Sequence, residues 1–304
     1  MTAAAQSFAE PNTQSALFES ILELIRRTST QLPDDVVRAV TDARGDEEKG
    51  SNADVALDVI GCNIVLARDS SLPLCQDTGT ILFYVHTPVG YDQLNFEETA
   101  TEAVREATKK GYLRQNSVDS VTGKNTGDNT GPGSPVFHFH QWREPHVEVK
   151  LMLKGGGCEN MNAQYSLPHP DLGGRNLQGV ENAILDCILQ AQGQGCGPGI
   201  LGVCIGGDRG TGYGHAKEQL LRTMDHANPD PELAALEARV VDKANQSGIG
   251  PMGFGGKTTL LACKIGKLNR LPASFFVSIA YMCWAFRRRG AVLDSQGGVR
   301  EWMY

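Results

Sequence analysis

The sequence predicts an α+β fold of mixed α/β character, a helical N-terminal part followed by a mixed sheet, and three observations carry that expectation. Up to Ala67 the apolar residues recur at helical spacing, one segment after another. From Ile81 onward, short apolar runs of strand character alternate with helical patterns. Glycine is in excess, 35 of 304 residues, against a usual share of about seven per cent, and it gathers in loops at the ends of the expected strands. Residues 1–14 are expected to form a flexible N-terminus and residues 15–304 a single domain.

Each element has its own signal. From Ala16 to Arg27, Leu17, Ile21, Leu22 and Ile25 share one helix face. Gln31 to Asp35 reads as a turn into a second helix, with Pro33 or Asp34 at its start. Asn52 to Ala67 is a third, more apolar helix, inside which Cys62 is expected as a buried structural thiol. Leu74 to Gly79 is a polar loop, and Ile81 to His86 a strand ended by Pro88. Phe96 to Gly111 is helix, closed by Gly111 as a C-cap. Gly123 to Pro135 (GKNTGDNTGPGSP) cannot hold helix or strand and reads as a long surface loop, of a kind that is usually either functional or floppy. Val136 to His140 and His146 to Leu153 are expected to pair as a β-hairpin. Leu177 to Gln192 is helix, Ile200 to Ile205 strand, and His215 to Met224 helix. Pro229 to Gln246 is an amphipathic helix, and Thr258 to Ile265 and Phe275 to Cys283 are strand-like. No internal repeat is present.

Composition excludes several classes. Apolar residues make up 40% and charged residues 21%, which is not the composition of a disordered chain. The eight cysteines form no C-x-x-C pair, so zinc ribbons and dithiol redox motifs are ruled out. The opening MTAAAQSFAE lacks the basic and apolar regions of a secretory start, and no apolar run approaches the roughly eighteen residues of a membrane span. Free thiols in a cytoplasmic protein are therefore expected. A net charge of −7 disfavours nonspecific nucleic-acid binding, and neither nucleic acid nor membrane is expected as a partner.

Two glycine runs mimic nucleotide motifs and fail. Gly248 to Gly253 fits G-x-G-x-x-G, but a helix precedes it and a strand-like run follows, the reverse of the dinucleotide fingerprint. Gly256-Lys257-Thr258 resembles the end of a phosphate-binding loop, yet Pro251 occupies the place of the leading glycine. These loops are better read as backbone that can approach a small ligand closely.

Chemistry concentrates in five segments. Pro73 to Thr80 puts Cys75, Gln76, Asp77 and two threonines into one turn. Lys154 to Asn160 (KGGGCEN) presents consecutive backbone amides after a strand. Gly195-Cys196-Gly197-Pro198-Gly199 places a cysteine before an apolar strand. Pro251 to Lys257 is a glycine turn ending in a cation. Tyr281 to Arg289 holds Cys283 beside a basic run.

In combination, CQDTGT at 75–80, KGGGCEN at 154–160, the Cys-x-Pro at 196–198 and CWAFRRRG at 283–290 resemble the iron–sulfur hydro-lyases, the class I fumarate hydratases and L(+)-tartrate dehydratases, from about Leu17 to the C-terminus. The resemblance implies that Cys75, Cys196 and Cys283 hold one 4Fe–4S cluster. Their separations of 121 and 87 positions explain why local spacing rules are silent. Three thiolates leave one iron open as a Lewis acid. By the same resemblance Asp77 is the carboxylate beside the reacting centre, Gln76 hydrogen-bonds substrate, and Arg114 clamps a substrate carboxylate. Gly155, Cys158, Glu159 and Asn160 line the substrate pocket, and Lys257 is a cation near it. Cys62, Cys187, Cys204 and Cys263 are expected to be core thiols.

Two features set the branch. Single-chain members carry Arg-Leu-Pro-Arg-His before the third cysteine segment, where this sequence has Arg270-Leu-Pro-Ala-Ser274. The family's second domain is also absent from these 304 residues. The expectation is thus an α subunit or N-terminal domain that, with a β subunit or C-terminal domain, hydrates fumarate to (S)-malate within a homo- or hetero-oligomer. L(+)-tartrate is the rival small dicarboxylate, favoured less because Glu159-Asn160 resembles the fumarase form. A non-catalytic cluster-binding subunit is the rival of another class.

Overall fold

The computed structural model describes residues 13–304; the expected flexible N-terminus lies outside the described residues, apart from Thr13 and Gln14, which begin the first helix. Three helices come first: α1 (Thr13–Thr30), α2 (Asp34–Asp46) and α3 (Asn52–Ser70). Pro33 precedes α2, whose first turn carries Asp34 and Asp35 against the positive end of the helix. Ser51 starts α3 by accepting the Asp54 amide at 3.1 Å. Strand β1 (Thr80–Pro88) and helix α4 (Gln93–Lys109) follow, then β2 (Val136–Trp142) and β3 (Val147–Lys154). A five-residue helix α5 (Gly156–Asn160) and strand β4 (Ala163–Ser166) lead into α6 (Leu177–Ala191), β5 (Gly199–Ile205), α7 (Arg209–Gln219) and α8 (Pro231–Asn245). The chain ends in four strands, β6 (Leu260–Lys267), β7 (Phe276–Met282), β8 (Arg287–Leu293) and β9 (Val299–Met303). Among the described residues no helix is long and apolar enough to cross a membrane.

Two mixed sheets organise these elements. One has strand order β2-β1-β3-β8-β9, the other β4-β7-β5-β6. The first packs one face on α1 and α4, where Phe83, Leu151 and Ala291 meet Ile21, Ile25, Ala100 and Val104, all buried. The second buries Leu201, Val203, Ile279 and Ile265 against α6 and α8. Their remaining faces share a core with α2, α3 and α7, built on Leu82, Met152, Ile200, Ala280 and Phe286. The chain crosses from one sheet to the other at residues 283–286, between β7 and β8.

The helices and most strands fall where hydrophobic spacing places them, and four differences have identifiable causes. The expected hairpin does not form. Strand β1 inserts between β2 and β3, parallel to β2 (Leu82 opposite Val136) and antiparallel to β3 (Leu82 opposite Met152). Helix α7 starts at Arg209 and ends at Gln219, ahead of the expected 215–224, because Asp208 accepts the Gly210 and Thr211 amides and Thr211 completes a capping box. The basic run at 287–289 opens the buried strand β8. Cys62 is exposed on α3 rather than buried, so it is not a core thiol, whereas Cys187, Cys204 and Cys263 are buried as expected. Burial pushes the Cys187 and Cys204 thiols up to about 12, which leaves them protonated and inert.

Candidate active site at the seam of the two sheets

The chemistry-bearing loops emerge at the same end of the two sheets. Cys75 precedes β1, and Cys158 follows β3, which runs antiparallel to β1. Cys196 precedes β5, and Cys283 follows β7, antiparallel to β5, before the chain enters β8 beside the end of β3. The topology therefore gathers at one seam four thiols that are far apart in sequence. Electrostatics registers the gathering. The Cys196 thiol is pushed up by partial burial and by the neighbouring Cys158, Cys75 and Asp77. The neighbouring Cys158 and Cys283 act on each other, which lowers the Cys158 thiol and raises that of Cys283.

The loop at 74–80 is fixed from both sides. The Leu74 amide donates to Ser29 O at 3.0 Å, and Asn63 Nδ2 donates to Leu74 O at 2.9 Å. Asp77 is held by three donors: Gly79 N (2.8 Å) and Asn116 Nδ2 (2.7 Å) on Oδ1, and Gly156 N (2.6 Å) on Oδ2. Its carboxylate thus ties the first cysteine loop to the Gly155-Gly156-Gly157 turn. Gly79 is required here. It has φ +78°, and a Cβ at that position would lie 2.4 Å from the backbone of Lys154. Thr78 Oγ1 donates to Arg114 O (2.7 Å) and accepts the Arg114 amide (2.9 Å), pinning that backbone while the arginine side chain stays exposed.

The glycine loop at 123–135 supplies a second anchor. Asn129, buried and left-handed at φ +63°, accepts the amides of Asn116 (2.8 Å) and Ser117 (3.2 Å) and donates to Arg114 O (2.8 Å). Asp77, Gly79, Asn116, Ser117, Asn129, Ser134 and Gly156 line a cleft of 260 Å³. That is just below the usual range for ligand clefts, about 300 Å³ upward, and suits a small polar molecule rather than a nucleotide.

Beneath the Gly155 turn lies a fully buried lysine. Lys154 Nζ donates to Tyr281 O (2.8 Å) and Asn162 Oδ1 (3.1 Å) and pairs with Glu159 (2.8 Å), which also pairs with Lys217 of α7 (2.5 Å). Burial acts to raise the Glu159 carboxyl, but the two lysines outweigh it and hold the group below its ordinary value. Burial depresses the Lys154 ammonium, against the pull of Glu159.

The Cys196 turn is the tightest part of the site. Cys196 itself is left-handed at φ +52°, an uncommon conformation for a residue with a side chain. Tyr281 packs across the turn, and a Cβ on Gly195 or Gly199 would lie 2.3–2.5 Å from its ring or hydroxyl. Trp284 N donates to Cys196 O at 3.4 Å and Met252 N to Gly197 O at 3.0 Å, so the second and third cysteine segments and the 251–253 turn are hydrogen-bonded together.

The residues expected at the site sort into groups. Cys75, Asp77, Gly155, Cys158, Cys196 and Cys283 converge at the seam. Gln76, Arg114 and Asn160 are exposed around it, and Glu159 is engaged by its two lysines. Lys257 is held elsewhere: its Nζ donates to Asp46 O at the end of α2, and its amide donates to Glu47 at 2.9 Å. Sequence reasoning assigned no role to Asn116, Asn129, Lys154 or Arg287. Lys154, directly before three glycines, and the asparagines of the long loop were visible, but nothing local said what they face.

Among the described residues no three His, Cys, Asp or Glu side chains surround one point closely enough to hold a single metal ion. A cluster differs from an ion in taking one thiolate on each of several irons, so its ligands spread around a volume and need not converge. The donor set matches that demand: soft thiolates, on separate loops, around one polar end of the fold. A buried guanidinium near them, Arg287, leaves Nε and Nη1 without a hydrogen-bond partner among the described residues, and this fits an anionic group at the seam.

Comparison with known proteins agrees with this geometry. A family model described as fumarate hydratase (Fumerase) matches residues 18–292. A Geobacillus stearothermophilus protein, provisionally named fumarate hydratase class I, is 52% identical over 293 residues, covering 95% of this chain and 57% of its own length. The L(+)-tartrate dehydratase subunit alpha of Escherichia coli K12 is 31% identical over 284 residues, 92% of each chain. A provisionally named L(+)-tartrate dehydratase subunit alpha of Methanocaldococcus jannaschii is 33% identical over 273 residues, 88% of this chain and 94% of its own. The chain thus spans little more than half of the Geobacillus protein and nearly the whole length of the two subunits. With the family model matching most of the chain and the cysteine loops meeting at one seam, the chain belongs to the fumarate hydratase family.

Proposed function

We propose that this chain is the α-type half of an iron–sulfur hydro-lyase that interconverts fumarate and (S)-malate, with Cys75, Cys196 and Cys283 holding a 4Fe–4S cluster. The observation that carries the reading is the meeting of the three cysteine loops where the two sheets join, with the Asp77 cleft beside them. When bound, such a cluster supplies an iron without a protein ligand, a Lewis acid for the substrate's carbon–oxygen bond.

The chain's own residues bind and orient. Arg114, its backbone pinned by Thr78 and Asn129, offers a free guanidinium fork for one substrate carboxylate. Asp77 is held rigidly by three donors, the condition for a carboxylate that positions or relays a proton rather than one that searches for it. Gln76 and Asn160 stand exposed at the edge as hydrogen-bonding groups for the diacid. A β subunit or C-terminal domain completes the site. The 57% coverage of the Geobacillus protein and the subunit-alpha names of the other relatives support such a partner. A reducing, cytoplasmic setting suits an exposed cluster.

L(+)-tartrate is the second reading, and one observation favours it: the chain matches tartrate dehydratase alpha subunits along 92–94% of their length. The higher identity to the Geobacillus protein favours fumarate. Anaerobic reconstitution of the chain should yield about one cluster per chain in the wild type and none in Cys75→Ser. Co-purification with the native partner, followed by fumarate and tartrate assays, decides the substrate. A wild-type chain that takes up no iron and sulfide overturns the proposal.

A further inference from the structure

Three consecutive arginines open β8, and two of them have partners for their terminal nitrogens. Arg288, without exposed surface, pairs with Asp35 at 2.5 Å and lies over the rings of Phe286 and Tyr304. Arg289 donates to the carbonyls of Tyr304 and Leu32. Arg287 is different. It is 1% exposed, yet among the described residues its side chain makes no ion pair and no hydrogen bond, and its Nε and Nη1 are sealed from solvent. A buried guanidinium cannot shed its proton, and an uncompensated buried charge is strongly destabilising.

Among the described residues no buried carboxylate is left to answer it. The buried acids are already engaged: Glu47 by the amides of Lys257 and Thr258, Glu181 by Lys243 and Arg239, and Glu237 by Arg222. What the fold brings near it is sulfur, since Cys283 lies on the crossing that leads into β8 and Cys158 follows β3, whose last residues pair with Arg287. Arg287 also follows Cys283 by four residues and pairs in register with Leu153, next to Lys154 and the glycine turn. Its place is fixed by the same crossing of the chain that presents the third cysteine.

We propose that Arg287 is a positioning residue for the iron–sulfur cluster, donating through Nε and Nη1 to its anionic sulfur and supplying the buried countercharge. The inference rests on the cluster reading above. Thiolates and sulfides around iron carry net negative charge, and hydrogen bonds to those sulfurs raise a cluster's reduction potential and hold it in place. The same residue that burdens the cluster-free chain would thus stabilise the loaded one.

The test uses the full chain, reconstituted anaerobically with ferrous iron and sulfide, as wild type, Arg287→Met and Arg287→Lys. The expected results are a more negative midpoint potential in Arg287→Met and release of iron to a chelator about tenfold faster, the effect of losing one charge-assisted hydrogen bond. Arg287→Lys should fall between the two. In the cluster-free state the order of thermal stability should reverse, Arg287→Met melting above wild type. Should the neutral variant not fold, reduced wild-type chain labelled with 15N-arginine should show nitrogen coupling to the cluster in pulsed EPR, and its absence overturns the proposal. Equal potentials and equal release rates in wild type and Arg287→Met also overturn it while leaving the cluster reading intact. Failure of the wild type to take up any cluster defeats both.

Discussion

Asp77 and Glu159 show how a motif residue acquires a role the motif alone does not state. Both carboxylates are tied into the glycine turn region, Asp77 through the Gly156 amide and Glu159 through the buried Lys154. Glu159 compensates a lysine with no exposed surface, so Glu159→Gln should leave that cation with neutral partners only. The expected loss is about 2–4 kcal/mol, the scale of breaking a buried pair, read as a lower midpoint in urea. Adding Lys154→Met should restore part of that loss, and an unchanged midpoint in the single variant would show that Tyr281 O and Asn162 suffice. Gly79 sets the distance between the two loops. Gly79→Ala forces a Cβ into the Lys154 backbone at a left-handed position, so the loops must part. Reduced cluster occupancy after reconstitution, with the helical circular dichroism signal retained, is the outcome that checks it.

The sheet edge formed by β1 and β2 carries its own pH dependence. His86 and His138 lie on one face, stacked on His140 and Tyr84 respectively, near Glu148 and Lys150 of β3 and His215, Lys217 and Glu218 of α7. Burial lowers both histidines below their ordinary 6.5, against the opposing pull of Glu218. The unfolded chain then takes up protons first as pH falls through 6.5, and stability declines with acidification until the folded groups also titrate. Melting temperatures between pH 7.5 and 5.5 should fall in the wild type and flatten in a His86→Gln/His138→Gln variant; parallel curves would place the dependence elsewhere. This edge also marks where sequence reading ended. The alternation of Val136 to His140 announces a strand, but pairing is set by β1 entering between two sequence neighbours, which no local pattern encodes. Helices α1 and α8 were legible because a single apolar stripe meets a single sheet face. Strand β8 was not, because three consecutive arginines carry no apolar alternation, and what buries Arg288, namely Asp35, Phe286 and Tyr304, is seen only in the fold. The candidate site was legible as a set of motifs. Its supports, Asn129, Asn116 and Lys154, act across long sequence separations and became visible only in three dimensions.

At the scale of the whole molecule, the three cluster cysteines divide between the two sheets: Cys75 opens the first, Cys196 opens the second, and Cys283 sits on the strand crossing that joins them. A cluster held by all three is therefore a cross-link between halves that also adhere through a shared apolar core and the Lys154–Tyr281 hydrogen bond. A group that binds the folded chain and not the unfolded one stabilises it in proportion to its affinity. Loading should thus raise the melting temperature, and chelation of the iron should reverse the gain. The local signature is more telling than the global one. Hydrogen exchange on chelation should accelerate most at residues 75–80, 155–160, 193–199 and 283–287, the segments that meet at the seam. Amides of α6 and α8, packed on the far face of the second sheet, should change little. Cys75→Ser, lacking one ligand, should exchange like the chelated wild type whether or not iron and sulfide are supplied. Uniform acceleration across both sheets would mean that the cluster stabilises the fold without acting as a link between its halves, and unchanged exchange at the seam would remove it from the junction.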